Sequence, residues 1–318
     1  MRIAVVQFAP KIGRVQENIV TAQKLCGRLQ PDSVDLVCLP EMIFTGYVFP
    51  DATSISPFLE EPRTGPTSRF CASLAARLRC YVVAGYPERL SRTRRVTVQI
   101  QSDDESGSTK EVDTVGANAA ALYGPDGEFV GSYRKTNLYT TDMTWARAGT
   151  GFVTFHLPPP LNVVSLGICM DLNVQPPAVW DLTLGPYEIA EYCIAQKTNL
   201  LVLLNAWLDS GSSPDEDIDW QTINYWATRL RPLWAQVVKE DAAAAEAVGH
   251  AGDPEEGRRP GEELVVVVCN RCGEENGITF AGSSSLFSLT RGAGRPKLVH
   301  CMGRREEGLE VWTYPDTQ

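Results

Sequence analysis

The chain is short of basic residues and has no long hydrophobic run. Its 318 residues include 29 Lys and Arg against 39 Asp and Glu, a net charge of −10. This surplus of acid argues against general nucleic-acid binding, which requires a basic face. No apolar stretch approaches the roughly 18–20 residues of a membrane-spanning helix. Met1 and Arg2 lead into a strand-like run with no signal sequence, so we expect a soluble, cytoplasmic protein.

Histidine is also scarce, and the cysteines lack the spacing of a disulfide framework or a metal site. The three histidines lie far apart, and the Cys-x-x-Cys pattern from Cys269 to Cys272 has no second ligand pair. Nine cysteines scattered along the chain favour a reducing compartment. We therefore expect no metal site.

What the chain does contain is a succession of short apolar runs and segments with helical spacing. The first strand candidate, 3–9, is closed by Pro10, and the first helix candidate is 17–29. Further strands are predicted at 35–39, 81–85, 117–123, 128–133, 153–157, 163–168, 200–204 and 264–269, and further helices at 67–78, 187–197 and 225–238. This alternation indicates an α/β protein with helices packed on the faces of its sheet.

The composition favours one globular domain. The chain is 43% hydrophobic and 21% charged, as expected for a protein with a sizeable core. It has no repeat of roughly 20–50 residues, so a single domain over 1–318 is the better interpretation. Polar or acidic stretches rich in Gly, Ser, Pro or Ala predict surface loops at about 102–111, 209–219 and 241–263.

Three reactive side chains each follow a predicted strand. Glu41 comes after 35–39, Lys135 after 128–133 and Cys169 after 163–168. Groups just past the carboxyl ends of strands converge on one crevice in an open α/β sheet. Because a free thiol is only a few per cent thiolate at neutral pH, Glu41 would accept its proton while Lys135 stabilises negative charge. Taken singly, each residue could also be a packing cysteine or a surface charge.

The segments around these residues resemble the nitrilase superfamily of carbon–nitrogen hydrolases. Three motifs match its Glu-Lys-Cys signature in order and approximate spacing: LPEM at 39–42, YRKT at 133–136 and GICMD at 167–171. The resemblance extends from Met1 to about Trp312. It implies a four-layer α-β-β-α sandwich formed by a single domain.

Longer segments resemble one branch of that superfamily, the protein N-terminal asparagine/glutamine amidohydrolases. They are PEMIFTGYVF, YRKTNLYTTDMTW, GICMDLN and CNRCGEENGITFAGSSS. Enzymes of this branch convert an N-terminal Asn or Gln of a protein to Asp or Glu, which feeds the N-degron pathway. The resemblance implies that Cys169, deprotonated by Glu41, attacks the side-chain amide carbon and forms a thioester. Lys135 and the backbone N–H of Met170 would hold the oxyanion, and no metal or organic cofactor would be needed.

One departure from the family pattern concerns a second glutamate that many members carry shortly after the lysine. Residues 137–152 contain no Glu, and Asp142 is the only carboxylate among them. Asp142, one methylene shorter, is the candidate for this supporting role. A turn or helix-cap aspartate is the alternative interpretation.

Recognition of a peptide N-terminus requires an anion for the α-ammonium group and a polar pocket around the side-chain amide. Asp171 is the first candidate for the ammonium group, although an Asp here also has a structural interpretation. The candidates for the pocket, each of which could instead be a packing residue, are Tyr47, Trp145, Asn173 and Trp207.

Two other functions are compatible with the same residues. The chain could be an amidase of this superfamily that acts on a small free ω-amide or carbamoyl compound. It could also be an inactive relative that binds peptide N-termini, should Asp142 fail to replace the second glutamate. A monomer and a homodimer are both compatible with the sequence.

Overall fold

Two six-stranded sheets dominate the computed structural model, which describes residues 1–100, 108–236 and 261–315. The strands of the first sheet are β1 (Arg2–Gln7), β2 (Leu36–Leu39), β3 (Tyr81–Ile100), β4 (Ser108–Tyr123), β5 (Phe129–Arg134) and β14 (Gly308–Thr313). Those of the second are β6 (Val153–His156), β7 (Val163–Ile168), β8 (Leu200–Asn205), β9 (Glu263–Asn270), β12 (Ser285–Thr290) and β13 (Lys297–Cys301). Strands β10 (Glu274–Glu275) and β11 (Ile278–Thr279) form a separate ribbon.

The helices are short and lie outside the sheets. They are α1 (Val15–Cys26), α2 (Ala52–Ile55), α3 (Pro66–Leu78), α4 (Glu188–Ala195) and α5 (Trp220–Arg229), with 3₁₀ turns at Ser56–Phe58, Asp142–Thr144, Cys169–Leu172 and Arg231–Leu233. Helix α1 buries Asn18, Ala22 and Cys26, which are spaced four residues apart and so share one face. That face packs on the first sheet, as the helical spacing of its apolar residues predicts.

The strands are apolar on both faces because each sheet is covered on both sides. In β1, Ile3 and Val5 face the core between the two sheets, whereas Ala4 and Val6 face α1 and α3. In β8, Leu200, Val202 and Leu204 face the same inter-sheet core, and the intervening leucines face α4 and α5. The layers therefore run helix, sheet, sheet, helix, which confirms the predicted four-layer sandwich.

Strand direction brings the predicted reactive residues to one edge. Strands β1, β2 and β3 are parallel, and β5 runs in the same direction because two antiparallel pairings separate it from β3. Strands β7, β8 and β9 of the second sheet are also parallel to one another. Glu41 and Lys135 therefore follow the carboxyl ends of strands in the first sheet, and Cys169 follows one in the second.

Several predicted boundaries differ from the structure. Strands β3 and β4 form a hairpin far longer than predicted, with pairing from Val82 and Tyr123 out to Ile100 and Ser108. The predicted loop 102–111 is thus shorter, since residues from Ser108 onward belong to β4 and residues 101–107 lie outside the described part. Residues 206–219, all of them described, contain no helix or strand apart from an isolated bridge at Leu208. Of the predicted loop 241–263, residues up to 260 lie outside the described residues, and Glu263 already begins β9.

The last predicted helix, 225–238, is displaced toward the N-terminus. Helix α5 begins at Trp220 because the Asp219 side chain accepts a hydrogen bond from the N–H of Thr222, 3.1 Å away, and so caps the helix. The helix ends at Arg229, ahead of Pro232, which cannot continue a helix. Residues 237 and 238 lie outside the described part of the chain.

Candidate active site

A buried ion cluster lies where the carboxyl ends of the strands meet. Lys135 Nζ donates to Glu41 Oε1 at 2.7 Å and to Asp142 Oδ2 at 2.6 Å, and all three side chains are fully buried. Each charge is costly to bury alone, so an ammonium between two carboxylates stabilises all three. The structure thus places the predicted supporting acid Asp142 against the lysine.

Asp142 is held by more donors than Lys135 alone. The hydroxyl of Tyr47 donates to Oδ2 at 3.2 Å, and so does the backbone N–H of Tyr139 at 3.0 Å. The side-chain amide of Asn118 donates to Oδ1 at 2.9 Å. Burial and the charges of Asp142 and Glu41 raise the pKa of Tyr47 well above its ordinary value, so its hydroxyl remains a donor.

Cys169 follows directly on the last residue of β7 and is the first residue of the 3₁₀ turn Cys169–Leu172. Its φ of 45° is in the left-handed region, which a residue with a side chain rarely adopts. The N–H of Cys169 donates to Asn205 Oδ1 at 3.0 Å, so the end of β8 holds this conformation. Cys169 is 8% exposed, whereas Glu41 and Lys135 are fully buried, so the cysteine is the least buried of the three residues.

Burial and the neighbouring charges keep the Cys169 thiol protonated, so it could react only with a proton acceptor nearby. Burial and the charge of Glu41 raise the pKa of Cys169 well above its ordinary value, against the opposing effects of Lys135 and the N–H of Ala206. Burial also raises the pKa of Glu41, although Lys135 opposes this. Burial alone would lower the pKa of Lys135, but Asp142 and Glu41 together raise it, so the ammonium stays charged. A carboxyl group of raised pKa and a cation therefore lie beside a thiol whose own pKa is raised.

Asp171 has a different place from the one the sequence suggested. Its side chain is fully buried and accepts hydrogen bonds from the N–H groups of Ile168 at 2.7 Å and Asn137 at 2.8 Å. The N–H of Thr136 and the hydroxyl of Tyr133 also donate to it, at 3.1 and 2.7 Å. Both oxygens are thus bonded to protein groups, which argues against binding a substrate ammonium. Instead Asp171 joins the end of β7, just before Cys169, to the bend after Lys135.

The four pocket candidates are not equivalent. Tyr47 and Trp145 are buried in a common apolar cluster, and Tyr47 contacts the ion cluster through its hydroxyl. Asn173 and Trp207 are partly exposed, and both contact Tyr225: its hydroxyl donates to Asn173 Oδ1 at 2.6 Å, and its ring lies 5.6 Å from that of Trp207. The structure therefore buries Trp145 among apolar side chains and leaves Asn173 and Trp207 partly exposed.

Three groups at the site were missed by sequence reasoning. Asn118 lies in the interior of β4 and bonds two carboxylates, Asn205 accepts the N–H of Cys169, and the N–H of Ala206 donates to Glu41 Oε2 at 2.7 Å. Asparagine inside an otherwise apolar strand, as in GANAAALY, was the available signal for Asn118. A backbone N–H leaves no signal in the sequence.

No metal-binding arrangement accompanies this cluster. Within residues 1–100, 108–236 and 261–315, no group of three or more His, Cys, Asp and Glu side chains could hold a metal ion. In the same ranges no helix has both the length and the apolar character needed to cross a membrane.

Comparison with known proteins establishes the class to which this fold and site belong. The family model described as carbon-nitrogen hydrolase matches residues 2–205, which include Glu41, Lys135 and Cys169. The chain belongs to the carbon–nitrogen hydrolase family, and the predicted membership of the nitrilase superfamily is confirmed.

Within this class the chain is similar to two yeast enzymes. It is 29% identical over 328 residues to the protein N-terminal amidase of Schizosaccharomyces pombe, with 98% of each chain covered. It is 27% identical over 241 residues to the protein N-terminal amidase of Saccharomyces cerevisiae, which covers 68% of this chain and 47% of that protein.

Solved structures show the same fold. A crystal structure of an N-terminal amidase with an Asn-Glu-Ala peptide matches with a TM-score of 0.76 at 19% identity, covering 98% of this chain and 97% of the other. One with a Gln-Val peptide matches with a TM-score of 0.74 at 20% identity, covering 98% and 96%.

Proposed function

We propose that this protein hydrolyses the side-chain amide of an N-terminal Asn or Gln of a protein or peptide, giving Asp or Glu and ammonia. The observation that carries the proposal is the buried contact of Lys135 with Glu41 and Asp142 beside Cys169. A relative named protein N-terminal amidase covers 98% of the chain, which supports the choice of substrate.

The proposed reaction has two halves. In the first, Glu41 takes the thiol proton as the sulfur bonds to the amide carbon, and the carbonyl oxygen becomes an anion. Lys135 and the backbone N–H of Met170 stabilise that oxygen, and one such donor is typically worth about 3–4 kcal/mol in the transition state. The C–N bond then breaks, and Glu41 protonates the departing ammonia.

In the second half, water cleaves the thioester left on Cys169. Glu41 takes a proton from the water as the water oxygen bonds to the thioester carbon. The C–S bond then breaks, Glu41 returns that proton to the sulfur, and the new carboxylic acid loses its own proton to solvent. The product carries a new carboxylate at its first residue. Such a product suits the N-degron pathway, and nine free thiols support a reducing compartment such as the cytoplasm.

The decisive experiment compares ammonia release from free and blocked N-termini. Purified protein is incubated with peptides that begin with Asn or Gln, their N-acetylated forms, free asparagine and free glutamine. We expect turnover of the unblocked peptides and none of the acetylated ones, because the α-ammonium group is part of what is recognised.

A Cys169→Ala variant controls for other sources of ammonia. Equal rates on blocked and unblocked peptides would exclude recognition of the N-terminus. Preference for the free amino acids would instead identify a small-amide hydrolase. Peptide binding with no ammonia release by the unmodified protein would identify a binding protein.

A further inference from the structure

Asn118 bonds both carboxylates of the ion cluster through one nitrogen. Its Nδ2 donates to Glu41 Oε1 at 2.6 Å and to Asp142 Oδ1 at 2.9 Å, and the residue is fully buried. Its backbone carbonyl accepts the N–H of Lys135 at 2.8 Å. Asn118 therefore contacts every member of the cluster.

The other end of this side chain is left without a partner. Asn118 Oδ1 is buried and accepts no hydrogen bond from the described residues. An unsatisfied buried oxygen costs about 1–3 kcal/mol. The reverse orientation would point this oxygen at two carboxylates, so the two N–H···O bonds fix which way the amide faces.

The two oxygens of Glu41 are consequently not equivalent. Oε1 accepts from both Lys135 and Asn118, whereas Oε2 has one donor within the described ranges, the N–H of Ala206. A carboxylate oxygen offers two lone-pair sites. Oε1 is therefore filled, and Oε2 retains one open site.

The open oxygen is also the one on the nucleophile's side. The N–H of Ala206, which donates to Glu41 Oε2, also opposes the rise that burial causes in the pKa of Cys169, as a donor near the sulfur does. The sulfur and Oε2 thus lie around the same peptide group.

We propose that Asn118 is a positioning residue that selects Oε2 of Glu41 as the basic oxygen. By occupying the second site on Oε1, it leaves Oε2 as the acceptor of the thiol proton. The S–H bond breaks, an O–H bond forms at Oε2, and the electron pair on sulfur forms the bond to the amide carbon. This step rests on the proposed function, in which Oε2 later returns the same proton to the leaving ammonia.

Loss of Asn118 has an effect that simple loss of packing does not have. Ionised Glu41 would lose a hydrogen-bond donor, and the loss of a donor to the charged form raises a carboxyl pKa. The thiol would then be activated only at higher pH. A variant that merely disturbs packing lowers activity at all pH values, and the pH at which the thiol becomes activated stays the same.

The test uses alkylation of Cys169 by iodoacetamide, read by mass spectrometry of its peptide from pH 4 to 9. This readout needs no amide substrate. Asn118→Ala is compared with the unmodified protein and with Asn18→Ala, which removes an equally buried amide bonded only to backbone atoms of Lys11 and Phe44. We expect the pH of half-maximal labelling to rise by about one unit in N118A, which lowers the labelling rate below that pH about tenfold. In N18A we expect the pH of half-maximal labelling to stay in place.

Asn118→Asp serves as a second variant of nearly the same shape. It removes both N–H donors and adds a third carboxyl group, so we expect a larger upward shift than in N118A. A variant counts as folded when it retains a cooperative thermal transition. If the pH of half-maximal labelling is unchanged in a folded variant, the proposal is overturned. Normal labelling of a protein that releases no ammonia would instead refute the proposed function and leave the role of Asn118 standing.

Discussion

At the scale of single residues, the charge balance around Lys135 depends on an aspartate where a glutamate was expected. Asp142 reaches Lys135 because its 3₁₀ turn, Asp142–Thr144, lies close to the end of β5, and Tyr47 contacts the same oxygen. Its four donors leave little capacity for a substrate contact. The shorter acid therefore holds the lysine in place.

We predict that Asp142→Asn lowers kcat by at least about 100-fold with a smaller change in KM. Breaking a buried ion pair costs about 3–5 kcal/mol, and part of that cost falls on the transition state. Tyr47→Phe, which removes one donor to the same oxygen, is the matched milder variant and should cost less than about tenfold. Steady-state kinetics on an Asn-initiated peptide give kcat and KM for both variants. An Asp142→Asn variant as active as the unmodified protein would contradict the role of Asp142 in holding Lys135.

Residue chemistry also decides how much of the site the sequence reveals. Glu41, Lys135 and Cys169 are predictable because each follows an apolar strand at a recognisable motif. Asn118 and Asn205 escape detection because an amide gives no indication of its partners, which lie in distant parts of the sequence. For Asp171 the sequence left two interpretations open, a substrate contact and a structural role, and its carboxylate accepts hydrogen bonds from four groups of the protein.

At the scale of elements, the N-terminus of α3 depends on a carboxylate from outside the helix. Glu60 accepts the N–H of Thr67 at 2.8 Å and its hydroxyl at 2.7 Å, while the N-cap residue Gly65 has no side chain to do so. Burial raises the pKa of Glu60 to about 7, although Thr67 opposes the shift.

We predict that this carboxyl makes stability fall as pH rises from the ordinary Glu range, about pH 4.3, to about 7. In that window the folded state binds more protons than the unfolded state, so unfolding becomes easier with increasing pH. Glu60→Gln should reduce the fall in the free energy of unfolding across this pH range by up to about 3 kcal/mol. Thermal melts at pH 5 and pH 8 measure it. Glu61→Gln, whose side chain is 65% exposed, is the control, and equal pH dependence in the two variants would count against the prediction.

Element boundaries show where sequence periodicity stops being informative. The turn at Pro125-Asp126-Gly127 is predictable because Gly127 has a φ of 83° and such turns favour glycine. The outer half of the β3–β4 hairpin is not, because residues 91–97 are almost entirely exposed and show no apolar alternation. Pairing between the strands, not burial, holds that segment.

At the scale of the whole molecule, the site spans two sheets that pack through the inter-sheet core and are also joined by polar contacts. Asp171 provides one of those contacts, because it bonds Ile168 at the end of β7 and Thr136 just after β5. The distance from Glu41 to Cys169 therefore depends on how the sheets pack.

We predict that Leu200→Ala, in the inter-sheet core at the far end of β8 from the site, destabilises the fold by about 2–5 kcal/mol. Leu200 is fully buried, so its removal leaves a cavity between the sheets. Leu184→Ala is the matched control: Leu184 is 86% exposed and should cost no more than about 0.5 kcal/mol. Urea unfolding gives both values, and similar midpoints for the two variants would argue against this core.

The peptide group at Ala206 has a consequence for how such a chain can vary. Any amino acid except proline supplies the same N–H to the carboxylate of Glu41, and Ala206 is only 2% exposed, so small residues could replace one another here without loss of this hydrogen bond. A contact to a buried carboxylate can thus be kept while the side chain beside it changes within the limits of its size, and surveys of sequence variation would pass over it.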